Sequence, residues 1–95
     1  MYGTIAQLRV KSGMEEQFSA FAEKIQEKDP GEVASYVYRM DADPSIFYLV
    51  SIFESKEAYI ANANRPETDA RYQHMQAYFD GEPEWHDGEI VFSLT

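Results

Sequence analysis

The stretch IFYLVSIF, Ile46 to Phe53, is apolar at every position except Ser51. A half-exposed strand alternates apolar with polar residues, and a run this continuous has no face that can look into water without loss. It predicts a central strand covered on both sides. Just upstream, Val33 to Asp41 alternates Ala34, Tyr36, Tyr38 and Met40 with Val33, Ser35, Val37 and Arg39, as a second strand does. The turn ADPS, Ala42 to Ser45, joins the two.

The remaining elements follow from the change of hydrophobic period. Tyr2 to Val10 alternates as a first strand, with Thr4, Ala6, Leu8 and Val10 sharing a face. Ser12 and Glu15 have the spacing of a capping box. Met14, Phe18, Phe21, Ala22 and Ile25 then recur on one face of a helix that Asp29-Pro30-Gly31 ends. Ser55 is placed to cap a short helix carrying Tyr59, Ile60 and Ala63. Pro66 suits the first turn of a third helix holding Tyr72, Met75 and Phe79 and stopped by Gly81. Asp87-Gly88 is a turn signal, and Glu89 to Leu94 alternates as a fourth strand. The order β-α-β-β-α-α-β is that of an α+β, ferredoxin-like sheet with its helices on one face, built from residues 1–95 as one domain.

The other face then needs a cover. Leaving four of its apolar side chains in water forgoes about 6 to 12 kcal/mol. That rivals the whole stability of a domain, about 5 to 15 kcal/mol. A second copy packed sheet to sheet about a twofold axis is the simplest cover, so a homodimer is expected.

Seventeen acidic residues against eight basic ones leave a net charge of −9, which repels nucleic acid and anionic membranes. No apolar segment approaches the roughly 20 residues that span a bilayer, and MYGTIAQLRV is not a secretion signal. A cytoplasmic location is expected. The absence of cysteine removes disulfides, thiolate nucleophiles and cysteine-rich zinc sites.

Chemistry must therefore come from two histidines, the tyrosines, a few arginines, the acids and one tryptophan. No phosphate-binding loop, G-x-S-x-G elbow or H-E-x-x-H occurs. In EPEWHDGEI, Glu82 to Ile90, the group Glu84, His86 and Asp87 suggests a metal site. Successive side chains of an extended segment point in opposite directions, however, and a lone imidazole is a poor start for such a site. His86 can instead pack on Trp85 in a turn or serve as an acid or base. His74 stands beside Tyr72 and Met75, at the edge of a pocket between helix and sheet or in water. Tyr36, Tyr38, Tyr48, Tyr59, Tyr72 and Tyr78 are many hydroxyls for a merely apolar core, and they fit either a polar-ended aromatic cavity or a wet dimer seam.

VKSGMEEQF (Val10 to Phe18), DPSIFYLVSIFESKEAYIANANRPE (Asp43 to Glu67) and PEWHDGEI (Pro83 to Ile90) together resemble the antibiotic biosynthesis monooxygenase family. The resemblance covers nearly the whole chain and implies a dimeric α+β barrel. It also implies oxidation of a small quinol or polycyclic aromatic substrate without metal or flavin, the substrate anion supplying the electrons to dioxygen. On that reading Tyr72, His74 or His86 supplies the base, Asn62 and Arg71 the polar contacts, and Trp85 a wall, with Tyr36 and Tyr38 as further substrate contacts. Relatives that degrade haem carry an asparagine, a tryptophan and a histidine where this chain has Ala6, Asn62 and Tyr72 or Gln73, so haem is not implied. A non-catalytic barrel that binds a small aromatic ligand, or an assembly module, is the alternative.

Overall fold

A computed structural model describes every residue from Met1 to Thr95. Its elements are β1 (Tyr2–Arg9), α1 (Glu15–Glu23), β2 (Glu32–Arg39), β3 (Ile46–Phe53), α2 (Lys56–Ala63), α3 (Pro66–Met75) and β4 (Glu84–Glu89). The strands form one antiparallel sheet in the order β2-β3-β1-β4, so the octapeptide Ile46–Phe53 lies inside the sheet, as its continuous apolar run requires. This is the ferredoxin-like α+β arrangement.

One face of the sheet carries the helices. Ala6 and Leu8 of β1 and Val10 just after it meet Phe18 of α1, Phe47 of β3 and Phe79, all buried. Phe18 is the centre of this core. Its ring meets Phe47 edge-on at 5.1 Å and Phe79 at 5.5 Å, geometries that the ring quadrupole favours.

The opposite face has no cover within the chain. Tyr36 pairs with Val50, Tyr38 with Tyr48, and Val50 in turn with Ile5, so these side chains share a surface. Ile5, Tyr36 and Tyr38 are 49, 57 and 50% exposed. No helix is long and apolar enough to cross a membrane.

Four local expectations are corrected. The fourth strand is Glu84–Glu89, not Glu89 to Leu94, and Asp87 and Gly88 lie within it opposite Thr4 and Gly3. The cause is register: Tyr2 pairs with Glu89 and Ile90 donates to the Met1 carbonyl, which sets the pairing with β1 over Glu84–Glu89 rather than over the residues after it. Val91, Phe92 and Leu94 extend into solvent.

The expected capping box does not close. Met14 occupies the N-cap of α1, while Glu15 accepts from the Gly13 amide at 2.9 Å and from the Ser45 hydroxyl at 2.7 Å. The Ser45 bond, first among several contacts, holds the Glu15 carboxyl below its usual range. The helix stops at Glu23, so Ile25 falls beyond it and is exposed.

The third helix ends at Met75 and tightens into a single 3-10 turn, Gln76–Tyr78. Phe79 is extended and bridges to Val10. The two caps read on either side of α2 do form: Ser55 accepts from the Ala58 amide at 3.1 Å, and Pro66 opens α3, where its missing N–H costs nothing.

Candidate functional site

A cleft of ≈ 860 Å³ lies on the helix side of the sheet, bounded by α1 and the chain that follows it and by α2 and α3. That volume is within the range of small-molecule sites, about 300 to 1,000 Å³.

Sheet pairing fixes what the floor presents. Residues directly opposite one another share a face, so the floor consists of rows running across the strands. One row is Trp85, Ala6, Leu49 and Val37, an apolar shelf ending in the indole. The next is Asp87, Thr4, Ser51 and Ser35, a polar row.

Adjacent strand residues point to opposite faces, and this separates the Trp85-His86 pair. Trp85 stands across from Ala6 on the cleft side, its ring 5.9 Å from that of Tyr72. His86 stands across from Ile5 on the open face, with its Nε2 3.4 Å from Glu84. Asp87 returns to the helix side, so the triplet Glu84, His86 and Asp87 does not converge. Tyr36 and Tyr38 lie on the open face with His86. His74 is exposed on α3 and stacks on Phe21 at 5.0 Å, outside the cleft lining.

Asn62, Arg71, Tyr72 and Trp85 do line the cleft. The first two are also tied into a network centred on Asp29, a residue that sequence reading used only as a helix stop. Arg71 holds Asp29 through two N–H groups at 2.6 and 3.2 Å, and the Asn62 amide donates to it at 3.1 Å. Arg65 and Thr68 both donate to the Asn62 oxygen. Asn62 is buried with both its side-chain oxygen and its amide nitrogen hydrogen-bonded; leaving either unpaired would carry a desolvation cost, and the network meets that demand.

Tyr59 closes the other end, donating to Asp87 at 2.9 Å. Burial, and next the Asp87 hydrogen bond, push its phenol up to about 12 from an ordinary 10.0. The unfolded chain then loses this proton first, so the contribution to stability is full below about pH 10 and is lost as pH rises toward 12. Alkaline titration at the tyrosinate absorption band is expected to show one late-ionising tyrosine, absent in Tyr59→Phe. If the variant keeps that step, the assignment to Tyr59 is wrong.

A ferredoxin-like sheet with an aromatic shelf beside a polar row, closed over by three helices, defines a small α+β domain with a ligand-sized cleft. The sequence profile of the antibiotic biosynthesis monooxygenases matches residues 1–81, and the chain belongs to that family. Among solved structures, one from Nitrosomonas europaea shares 17% identity over 97% of this chain and 100% of its own, with a TM-score of 0.83. Another, from Chloroflexus aurantiacus J-10-fl, shares 19% over 99% and 96%, with a TM-score of 0.82. Both are named provisionally as antibiotic biosynthesis monooxygenases, and at such identity the likeness is one of fold. No curated protein matches the sequence.

Proposed function

We propose that this protein is a cofactor-independent monooxygenase acting on a small quinol or polycyclic aromatic substrate, and that it works as a homodimer joined through the open sheet face. The observation that carries the reading is the cleft, where the Trp85 shelf can hold an aromatic ring and the row beside it can hold the ring's oxygens. An anthrone-type substrate shows the balance. Its methylene carbon loses two hydrogens and gains one oxygen of O₂ as a carbonyl, while the second oxygen leaves as water with those hydrogens. The substrate anion supplies the electrons, so the protein's task is to bind it, assist proton removal and exclude bulk water.

Of the three candidate bases, Tyr72 is the one whose side chain lines the cleft, next to Trp85. Arg71 stands near it, fixed by Asp29. Oxygen-electrode measurements over a panel of anthrones and hydroquinones are expected to show uptake above buffer. Tyr72→Phe is expected to lower it about tenfold, the effect of one hydrogen bond worth about 1.4 kcal/mol. His74→Ala and His86→Ala should keep most of it, since neither side chain reaches the cleft. Absence of substrate-dependent uptake would remove the catalytic reading.

One observation favours the alternative of a non-catalytic barrel that binds a small aromatic ligand or serves in assembly. The Asn62 amide and two Arg71 N–H groups are spent on Asp29, and the Asn62 oxygen on Arg65 and Thr68, rather than left free for a reacting oxygen. Ligand binding without oxygen uptake would decide for it.

A further inference from the structure

A turn and a bulge at the start of β2 set the direction of one carboxylate. In Asp29-Pro30-Gly31-Glu32 the glycine takes a φ of 78°, as the third position of a type II turn requires, and the Glu32 amide donates back to the Asp29 carbonyl at 3.0 Å. The strand then enters the sheet out of step. Glu32 stands opposite Phe53 and Ala34 opposite Ile52, so two residues of β2 cover one step of β3. Ser35, across from Ser51, faces the helices, and strict alternation back from it would put Val33 on that side and Glu32 on the open face. The extra residue reverses this. Glu32 is turned onto the helix side and lines the cleft, and re-aiming a side chain beside an active site is a common use of such a bulge.

The carboxylate delivered there is half-buried and has no counter-ion. Its Oε2 accepts from the Ser51 hydroxyl at 2.9 Å and its Oε1 from the Asp29 amide at 3.0 Å. Each oxygen has two lone pairs, so each keeps one for a guest. The neighbouring carboxylate, Asp29, is its opposite. Arg71 grips Asp29 with two N–H groups, Arg65 lies 3.7 Å from it and the Asn62 amide donates to it, whereas Glu32 forms no salt bridge. Glu23, Glu27 and Asp69 also border the cleft, but as exposed residues. Adjacent carboxylates in contrasting environments take separate roles, and here Asp29 holds the walls. From the bulge and the missing counter-ion we infer that Glu32 is the catalytic base of the cleft, taking the substrate's acidic proton and handing it back to the reduced oxygen. The inference rests on the oxygenase reading of the cleft and adds the group that moves the proton.

A phenol carries its proton at neutral pH and must shed it before taking another, whereas a carboxylate has already lost its own. Tyr72, at the Trp85 end, is then a donor to the substrate oxygen, and the acceptor is Glu32. The Ser51 bond holds the carboxylate at the row next to that of Leu49, and such rows are about 7 Å apart. A ring resting on Leu49 and Val37 thus meets Glu32 at its edge, where an anthrone carries its methylene. One C–H bond breaks, an O–H bond forms on Glu32, and the electron pair left on carbon spreads to the ring carbonyl oxygen. Carboxylates serve as bases beside carbonyl groups in this way. Once the anion has reduced O₂ and bonded to it, Glu32 returns the proton to the outer peroxide oxygen. The remaining methylene hydrogen then leaves with that hydroxyl as water, the O–O bond breaks, and the carbon becomes a carbonyl.

The test separates turnover from binding in the intact protein. Glu32→Gln keeps the shape of the side chain and an oxygen for the Asp29 amide, but cannot take a proton. Oxygen uptake with anthrone is expected to fall at least about a hundredfold, the lower end of what a positioned base supplies. Anthrone binding without oxygen, read by quenching of Trp85, the single tryptophan, should stay within about threefold of native. Glu32→Ala, checked by circular dichroism, should regain uptake as formate is added, while native protein should not respond. A residue that only braces the turn gives neither result. Where Glu32→Ala does not fold, Glu32→Gln decides alone. Uptake by Glu32→Gln close to native, binding lost together with uptake, or a folded Glu32→Ala that formate does not restore overturns the inference and leaves the oxygenase reading standing. No uptake by the native protein removes that reading, and the inference with it.

Discussion

Ile5→Lys is expected to raise the dimer dissociation constant at least about a hundredfold while leaving the monomer folded. Ile5 sits on the inner strand β1, between Val50 on one neighbour and His86 on the other, and faces away from the helices. Half of its surface is already in water in the single chain, so a lysine there costs the monomer little. In a sheet-to-sheet dimer the same ammonium loses its water, at a cost of several kcal/mol per ion when no partner is provided. Twofold symmetry brings two such charges to one interface. At 1.4 kcal/mol per tenfold change, even part of that penalty exceeds a hundredfold. Sedimentation equilibrium of native and variant protein checks it. If the native chain runs as an 11.0 kDa monomer at micromolar concentration, the pairing of sheet faces is wrong.

Gly3→Ala is expected to cost the fold about 3 kcal/mol, at the upper end of what overpacking does. A β-carbon at this position would clash with the Ser51 carbonyl oxygen and lie 3.2 Å from the Ile52 α-carbon. Both are backbone atoms of β3, so no side-chain rotation relieves the contact. The two inner strands would have to separate where Gly3 pairs with Ile52, weakening their ladder. For a chain of this size that corresponds to a fall in melting temperature of about 12 to 24 °C. Gly88 lies opposite Gly3 with open space around it, and Gly88→Ala should be nearly neutral. Thermal unfolding of the two variants side by side checks the pair, and equal melting temperatures would show that β3 gives way without loss.

What could be read from the chain alone follows the range of the interaction that decides it. The run Ile46–Phe53 announces an inner strand because nearly every position is apolar, whichever face it takes. The fourth strand could not be placed in the same way. Asp87-Gly88 has the composition of a turn, yet Gly88 is held in a strand because it pairs with Gly3, more than eighty residues away. No local pattern records that pairing.

The site divides along the same line. Tyr72, Asn62, Arg71 and Trp85 stand out by residue type, and all four reach the cleft. His86, Tyr36 and Tyr38 stand out equally and lie elsewhere, because which face a strand residue takes depends on register, and register is set by the partner strand; His74 lies on the exposed side of α3, stacked on Phe21. Thr4, Ser51 and Glu32 were missed, although a signal existed. Ser51 is the one polar residue in an apolar octapeptide, and Thr4 falls on the buried face of an alternating strand. A hydroxyl at a core-facing position on each of two neighbouring strands is a request for a partner, and pairing the strands would have made the row visible.

Asp29 gives the rim of the cleft a mechanical character. Its carboxylate grips Arg71 on α3 and Asn62 on α2, while its amide is gripped by Glu32 on β2. Two helices, a strand and the loop after α1 therefore meet at one residue. A guest too wide for the mouth cannot push one wall aside alone, because moving any wall strains the bonds that hold the others. Any widening of the cleft mouth would therefore have to loosen the bonds at this one residue first.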